Sequence, residues 1–291
     1  MYRAYGFPPL FLLLTLFLSL SSLPNPSTAD TNSFIYGGCS QLTYSPGSAY
    51  ESNLNSLLTS LVNSATYSSF NKLTFSGSTQ QDVVYGLYQC QGDLSMPDCS
   101  NCIQRAVSQL GILCPSSTGG AVQLQGCFIK YDNTSFLGVE DKTVVVKKCG
   151  PPVSYESDLI SQRDAVLNGL ASGGGLYRVG GSGEVQGVAQ CVGDLSANEC
   201  QDCLSSAIGR LRSECGAAAY GDMFLGKCYV RYSTGGDHSH GSNGSSSSSS
   251  QQNQTSKTLA IIIGMLALVA LIIIFVSFIS RAIERRNSGG K

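Results

Sequence analysis

A pattern of five cysteines occurs twice in this chain of 291 residues, with the same spacing both times. The first copy begins at Cys90 and the second begins 101 residues later, at Cys191. In each copy the gaps between successive cysteines are 8, 2, 11 and 12 residues. One further cysteine precedes each copy, Cys39 in the first and Cys149 in the second. The repeated register indicates an internal duplication, so we predict two similar units with six cysteines each.

Both ends of the chain carry targeting signals. Residues 10–20 are mostly apolar and the small residues Ser27-Thr-Ala29 follow, which is typical of a signal peptide over residues 1–29. Residues 259–280 are 22 residues without a charge, enough to span a bilayer, and predict a transmembrane helix over 258–280. The tail, 281–291, has four basic residues against one acidic residue, which places it in the cytosol. We therefore predict a type I single-pass membrane protein whose tail is too short to hold an enzyme.

The part outside the cytosol is predicted to contain two domains and a stalk. The first domain is assigned to residues 30–138 and the second to residues 141–236. A Ser/Gly/Gln-rich stretch over residues 237–257 cannot form a core and is assigned as a flexible stalk. Asn133 and Asn243 lie in Asn-x-Ser/Thr sequons and are the predicted glycosylation sites.

The twelve cysteines are expected to form disulfides, because the predicted location is oxidising. Zinc is the alternative, since Cys99 and Cys102 have the spacing of metal ligands. The two histidines of the chain, His238 and His240, lie in the stalk, so neither unit supplies an imidazole ligand. Six cysteines permit about 15 pairings, and the pattern alone does not choose among them. We predict three bridges per unit and no metal site.

Apolar periodicity predicts the secondary structure of each unit. Residues spaced three and four apart indicate amphipathic helices over 50–62 and 157–170. A second helix is predicted to begin at Ser95 and at Ser196, where Glu199 completes a capping box with Ser196. Strand-like runs cover residues 83–90, 122–131, 185–191 and 223–232. Each unit is therefore predicted to be an α+β domain, an antiparallel sheet covered by two helices.

The sequence offers little for catalysis. Without a histidine, neither unit can form a Ser/His or Cys/His dyad. The Gly-rich stretch 173–183 lacks the spacing of nucleotide-binding loops and is predicted to be a loop between helix and strand. Asp93 and Asp194 lie in repeated Gly-Asp-Leu-Ser turns, where turn formation and the following helix N-terminus account for them. We predict no enzyme activity and no cofactor. The net charge of -1 and the scattered basic residues argue against nucleic-acid binding.

The cysteine spacing resembles that of the plant ginkbilobin-type domain, also called the stress-antifungal or cysteine-rich repeat domain, in tandem over about residues 33–236. The resemblance implies that each domain is a five-stranded antiparallel sheet with two helices. It also implies a pairing, in which the second cysteine joins the third, the fourth joins the sixth and the first joins the fifth. The implied bridges are Cys90–Cys99, Cys102–Cys127, Cys39–Cys114, Cys191–Cys200, Cys203–Cys228 and Cys149–Cys215.

With its membrane helix and short tail, the whole chain is similar to the plasmodesmata-located proteins. The resemblance implies a protein of the plasma membrane at plasmodesmata, with its domains outside the cell. It implies regulation of cell-to-cell trafficking through callose deposition, with roles in defence. The implied partners are related membrane proteins in homo- or hetero-oligomers, the callose-synthesis machinery, receptor kinases and viral movement proteins.

A membrane-tethered lectin that senses cell-wall or microbial glycans is the alternative function. The mannose-binding member of the family uses an Asn, an Arg and a Glu. The matching positions here are Ser40, Ala121 and Asp132 in the first unit and Gly150, Asp222 and Ser233 in the second. Loss of the Arg removes its planar donor fork, so mannose binding at that site is not expected. Tyr85, Tyr88 and Tyr131 are candidates for another glycan site, although at least one is expected in the core.

Overall fold

The computed structural model describes residues 31–153 and 157–235, which hold both repeats within one compact unit. The predicted signal peptide, stalk, transmembrane helix and cytosolic tail lie outside the described residues. So do Asn243 and the two histidines. Within the described ranges, no helix has the length and apolar character needed to cross a membrane.

The first repeat consists of five strands and two α-helices. In chain order its elements are β1 (Phe34–Cys39), α1 (Ala49–Ser64), β2 (Phe70–Phe75), β3 (Val84–Cys90), α2 (Met96–Leu113), β4 (Gly119–Leu124) and β5 (Cys127–Asp132). A turn of 3₁₀-helix, Gln80–Asp82, precedes β3. The strands form one antiparallel sheet in the order β1–β4–β5–β3–β2.

The second repeat has the same five strands and two α-helices in the same order. They are β6 (Val144–Cys149), α3 (Ser157–Ser172), β7 (Tyr177–Ser182), β8 (Val185–Cys191), α4 (Ala197–Cys215), β9 (Tyr220–Leu225) and β10 (Cys228–Thr234). The antiparallel sheet order is β6–β9–β10–β8–β7, which matches the first repeat strand for strand. The duplication in sequence is therefore a duplication in topology.

Both helices of a repeat pack on one face of its sheet. α1 covers β2 and β3 while α2 covers β4 and β5, and α3 and α4 are placed in the same way on the second sheet. In α2, Cys102, Ala106 and Leu110 are four residues apart and all are buried, as their spacing predicts. Each repeat has its own core between helices and sheet. The other face of each sheet is left to make contacts outside that core.

The predicted starts of the second helices are confirmed. Ser95 and Ser196 are the N-caps of α2 and α4, and each hydroxyl oxygen accepts the N–H three residues later. At Ser196 the box is complete, because the Glu199 carboxylate accepts the Ser196 N–H at 2.8 Å. At Ser95 the Asp98 carboxylate accepts the Ser95 hydroxyl instead. The first repeat thus has the weaker of the two boxes.

Two predictions about the sheets are wrong. The runs 122–131 and 223–232 are not single strands, because each spans a tight hairpin, with Gln125 and Gly126 between β4 and β5. Most residues of these strands are buried on both faces, so the apolar pattern runs through the turn without a break. The stretch 173–183, predicted to be a loop, contains the edge strand β7 with Gly180 and Gly181 inside it.

All twelve cysteines lie in the described ranges, and none is free. The bridges are Cys39–Cys114, Cys90–Cys99, Cys102–Cys127, Cys149–Cys215, Cys191–Cys200 and Cys203–Cys228. These are the pairs that the resemblance implied. Cys99 and Cys102 are bonded to two different strands, so the spacing that suggested a zinc site serves two separate disulfides.

Candidate binding site at the junction of the repeats

The positions of the family's sugar site converge in the first repeat, but they lack a cationic donor. Ser40 and Asp132 both lie beside Gly119, where an added Cβ would be 3.3 Å from the Ser40 Cβ and 2.8 Å from an Asp132 carboxylate oxygen. Ala121, on β4, places a methyl group at the position of the arginine. A sugar here would find an acceptor and a hydroxyl but no guanidinium.

In the second repeat the same positions are used for internal contacts. The Asp222 carboxylate pairs with Arg231, with 2.8 Å between Oδ1 and Nε and both side chains almost fully buried. The ring of Tyr220 packs on Gly150, where an added Cβ would lie 2.5 Å from it. The carboxylate at position 222 is therefore neutralised within the sheet and is not presented to a ligand.

The three candidate tyrosines separate into core and surface. Tyr88 and Tyr131 are buried, and their hydroxyls donate to the carbonyls of Ser68 at 2.8 Å and Ser117 at 3.0 Å. The expectation that at least one is core is confirmed. Tyr85 lies three residues from Tyr88 on the same strand, on the opposite face of the sheet, and is partly exposed. These tyrosines do not form a single site.

The junction between the repeats has a pseudo-two-fold arrangement. Tyr177, the first residue of β7, packs on Gly92 of the first repeat, where an added Cβ would lie 2.4 Å from the ring. Phe70, the first residue of β2, packs in the same way on Gly193 of the second repeat, at 2.8 Å. Each repeat thus contacts the other through the same two positions, an aromatic residue and a glycine. An isologous interface has the same symmetry.

Two matched glutamines connect the repeats by hydrogen bonds. The Gln190 amide donates to the Cys90 carbonyl at 2.9 Å, and the Gln89 side-chain oxygen accepts the Gly193 N–H at 2.9 Å. Each glutamine directly precedes the first cysteine of the repeated pattern. Sequence reasoning missed both, although their identical position in the two copies was a usable signal.

The linker between the repeats is anchored on the outer face of the first sheet. Phe136 and Leu137 pack on an apolar cluster formed by Leu87, Phe128 and Val192, residues of both repeats. Two positive charges flank the Phe136 ring, with the ammonium groups of Lys130 and Lys227 lying 4.6 and 5.2 Å from its centroid. The linker therefore covers the sheet and joins the two repeats.

Asp194 fixes the linker from the second repeat. Its Oδ2 accepts the Gly138 N–H at 2.7 Å and is paired with Lys227, whose side chain is only 2% exposed. Burial lowers the pKa of Lys227, and the neighbouring Asp194 carboxylate opposes that shift. The Asp194 Oδ1 atom is also buried and has no hydrogen-bond partner among the described residues.

The two repeated aspartates lie in the turns before the helices, as predicted, and each has a partner that the sequence did not indicate. Asp98 and Glu199 are the acidic residues within the first turns of the helices. Asp194 forms the buried ion pair with Lys227. Asp93 is exposed and lies beside Tyr177, whose pKa is raised to about 12, chiefly by burial and further by the Asp93 carboxylate. Identical motifs have thus acquired different partners.

Two cavities border the junction. A slot between the repeats, lined by five glutamines among other residues, has a volume of about 30 Å³, enough for about two water molecules. A larger groove of about 440 Å³ lies on the outer face of the second sheet. It is lined by Gln91, Asp93, Gln125, Tyr177, Val179, Gly180, Gly181, Gln186, Gly187, Val188 and Arg231. Its size falls within the range of ligand sites.

The junction presents side chains that can contact a ligand by hydrogen bonding and packing. Residues 31–153 and 157–235 contain no group of three or more His, Cys, Asp or Glu side chains that could hold a metal ion. The side chains that line the groove supply amide, carboxylate, guanidinium and aromatic groups, which recognise ligands by hydrogen bonding and packing. Asn133, the glycosylation candidate within the described ranges, is partly exposed in the bend after β5.

Comparison with known proteins gives consistent matches over both repeats. The sequence profile of the salt stress response/antifungal family matches residues 38–134 and 149–235. Plasmodesmata-located protein 7 from Arabidopsis thaliana is 64% identical over 222 residues, which are 76% of this chain and 74% of that protein. Plasmodesmata-located protein 6 from the same plant is 62% identical over 229 residues, 77% of this chain and 80% of that protein.

A solved structure agrees with the fold. The crystal structure of the tandem DUF26 ectodomain of the A. thaliana cysteine-rich receptor-like protein PDLP5 superposes with a TM-score of 0.67 at 49% sequence identity. The match covers 70% of this chain and 100% of that ectodomain. The tandem arrangement of the two repeats is therefore shared with an experimentally determined relative.

Proposed function

Because the chain belongs to the family of plasmodesmata-located proteins, with two salt stress response/antifungal domains in tandem, we propose that it acts at plasmodesmata to restrict cell-to-cell trafficking. The observation that carries the proposal is the 64% identity with plasmodesmata-located protein 7 over both repeats. In this proposal the repeats lie outside the cell and residues 258–280 anchor them in the plasma membrane.

The proposed action is non-enzymatic. The two repeats form a disulfide-stabilised unit whose outer surfaces bind partners, and callose deposition follows from the proteins that are recruited. Related membrane proteins in homo- or hetero-oligomers, the callose-synthesis machinery, receptor kinases and viral movement proteins are the partners that the family resemblance implies. A role in defence follows from the same resemblance. In both repeats the altered sugar positions weigh against the lectin alternative.

Localisation tests the first part of the proposal. The full-length chain, fused at its C-terminus to a fluorescent protein, is expressed in plant epidermal cells together with a callose stain. We expect paired puncta across the shared wall that coincide with callose. A uniform plasma-membrane signal, with no enrichment at those puncta, would overturn the proposal.

Trafficking tests the second part. Single epidermal cells are made to express a free fluorescent protein with or without the full-length chain, and the number of neighbouring cells that it reaches is counted. We expect fewer labelled neighbours and stronger callose staining when the chain is present. Puncta without either effect would leave a plasmodesmal protein that does not regulate trafficking in this way.

The sequon at Asn133 permits a direct check of the predicted topology. Because the side chain is partly exposed after β5, we propose that it carries an N-linked glycan when the repeats are outside the cytosol. The protein from plant membranes is treated with an N-glycosidase, beside the Asn133→Gln variant. A mobility shift that N133Q reduces by one glycan supports the proposal, and identical mobility of the two proteins before treatment contradicts it.

A further inference from the structure

The groove on the second sheet is the counterpart of the surface that the linker covers on the first sheet. Positions 101 residues apart are equivalent in the two repeats from the start of β3 and β8 onward, because these strands and the cysteines after them share one register. Four pairs of matched residues line the two surfaces: Leu87 and Val188, Lys130 and Arg231, Val192 and Gln91, and Asp194 and Asp93. The matched positions thus line both surfaces, one on either side of the pseudo-two-fold junction.

Among residues 31–153 and 157–235, the two copies differ in what fills them. On the first sheet, residues 136–138 of the linker place an aromatic ring beside Lys130 and Leu87 and give the Gly138 N–H to Asp194. On the second sheet the matched residues border a groove of about 440 Å³. Gly181 contributes to this space, since an added Cβ there would have no heavy atom closer than 3.7 Å. The occupied copy shows what kind of ligand such a surface accepts.

We propose that the groove on the second sheet binds an extended polypeptide segment of a partner protein. The segment presents an aromatic side chain and, two residues later, a backbone N–H, as Phe136 and Gly138 do on the first sheet. The proposal goes beyond the proposed function, because it concerns how a partner is recognised and does not depend on where in the cell that occurs.

The chemistry of the groove suits such a segment. The Asp93 carboxylate can accept a backbone N–H in a charge-assisted hydrogen bond, as Asp194 does in the filled copy. The amides of Gln91 and Gln186 can both donate to and accept from a peptide backbone. Val188 and the ring of Tyr177 provide apolar contact for the aromatic side chain.

The charges on the groove lining argue against an anionic ligand. Its guanidinium, that of Arg231, is paired with Asp222 within the sheet, and Asp93 adds a negative charge at the rim. Phosphate groups and nucleic acids bind where positive charge is in excess, which this lining does not offer. A neutral or weakly charged extended peptide is the matching class of ligand.

The experiment uses the full-length chain in lipid nanodiscs and two labelled peptides. One peptide has the linker sequence of residues 134–139, Thr-Ser-Phe-Leu-Gly-Val, with blocked termini, and the other replaces its Phe with Ser. Fluorescence anisotropy measures binding to the wild-type chain, to Gly181→Tyr, which fills the groove, and to Thr74→Tyr. Thr74 occupies on β2 the place that Gly181 occupies on β7 and is exposed, so T74Y is the matched control.

We expect saturable binding of the Phe peptide to the wild-type chain and to T74Y. Binding to G181Y should be weaker by about tenfold or more, and the Ser peptide should bind similarly weakly, because each change removes the packed aromatic contact. Equal binding to G181Y and T74Y, equal binding of the two peptides, or no binding to the wild-type chain would overturn the proposal. No binding of the peptide, together with saturable binding of labelled neutral wall oligosaccharides that G181Y weakens and T74Y does not, would identify the groove as a glycan site instead. Thermal unfolding of the variants establishes that each is folded.

Discussion

The ring of Tyr177 lies against Gly92 so closely that a Cβ atom at position 92 would be 2.4 Å from it. The nearest atoms are the Tyr177 Cγ and Cβ, near the backbone, so the ring cannot simply rotate away. Gly92→Ala should therefore force the two repeats apart locally. We expect a loss of about 1–3 kcal/mol in the free energy of unfolding, the usual cost of overpacking.

Urea unfolding of the full chain measures this effect. The matched glycine of the second repeat and an unhindered glycine of the first provide the comparisons. Gly193→Ala should behave in the same way, since an added Cβ there would lie 2.8 Å from the Phe70 ring. Gly38→Ala should change stability little, because no atom lies within 4 Å of its added Cβ. Equal midpoints for G92A and G38A would mean that the junction does not resist the change.

Reduction should open the six disulfides in a definite order. Cys39 is exposed and Cys149 is partly exposed, whereas the other two bridges of each repeat lie in the core at 4% exposure or less. Thiol–disulfide exchange requires access to a sulfur atom, so the bridges Cys39–Cys114 and Cys149–Cys215 should be reduced first.

Mild reductant followed by alkylation and mass spectrometry gives the order. Under native conditions the alkyl group should appear on the four cysteines of those two bridges while the core bridges stay intact. If Cys90, Cys99, Cys102 or Cys127 were labelled as early as Cys39, the core of the first repeat would have to be open to solvent.

Buried and partly buried tyrosines should make the fold sensitive to alkali. Burial raises the pKa of Tyr177 to about 12, and burial likewise raises the pKa of Tyr50 and Tyr131 above the ordinary value. A group whose pKa is higher in the folded state binds its proton more tightly there. Its contribution to stability is therefore complete below pH of about 10 and is lost as the pH rises through the folded-state value.

The expected result is a free energy of unfolding that falls from pH of about 10 upward, with absorbance at 295 nm rising as the protein unfolds. Tyr177→Phe, which installs the residue type found at the matching Phe70, should make that fall shallower between pH 10 and 12. Tyr67→Phe, at a tyrosine that is 74% exposed, is the control. A Y177F profile that matches wild type would argue against a buried role for this hydroxyl.

The sequence predicted those features of the fold that depend on neighbours along the chain. The helices and their serine caps follow from local periodicity and local hydrogen bonds, so Ser196 and Glu199 could be placed correctly. The hairpin at Gln125 and Gly126 could not, because strands buried on both faces show no change of pattern at the turn. β7 was missed because Gly180 and Gly181 resemble a loop, although an edge strand tolerates them.

The contacts at the junction between the repeats could not be predicted from the sequence, for a different reason. Gly92 and Tyr177 are far apart in the sequence, and neither has a local pattern that indicates the other. Asp93 and Asp194 occupy identical motifs, yet one lies beside Tyr177 and the other binds Lys227 and the linker. Such partners depend on how the two repeats pack against each other. The periodicity of the sequence within one repeat carries no information about that packing.

The ion pair of Asp194 and Lys227 gives the sharpest test of the linker's attachment. Both side chains are buried, at 0% and 2% exposure, so Asp194→Asn would remove the carboxylate that is paired with the buried ammonium. Breaking a buried pair on one side costs about 3–5 kcal/mol, and we expect the free energy of unfolding to fall by that amount. Asp93→Asn, in the same motif but exposed, should cost less than about 1 kcal/mol.

A double variant separates the effect of the unpaired Lys227 charge from the effect of the lost hydrogen bond to Gly138. Asp194→Leu with Lys227→Met removes both charges, and apolar replacement of a buried pair is often neutral, so much of the stability lost in D194N should return. The Gly138 N–H would still lose its acceptor, so hydrogen exchange at Gly138 should stay faster than in the wild type even in the double variant. If D194N and D93N were equally stable, or if exchange at Gly138 did not change, Asp194 would not be what holds the linker on the first sheet.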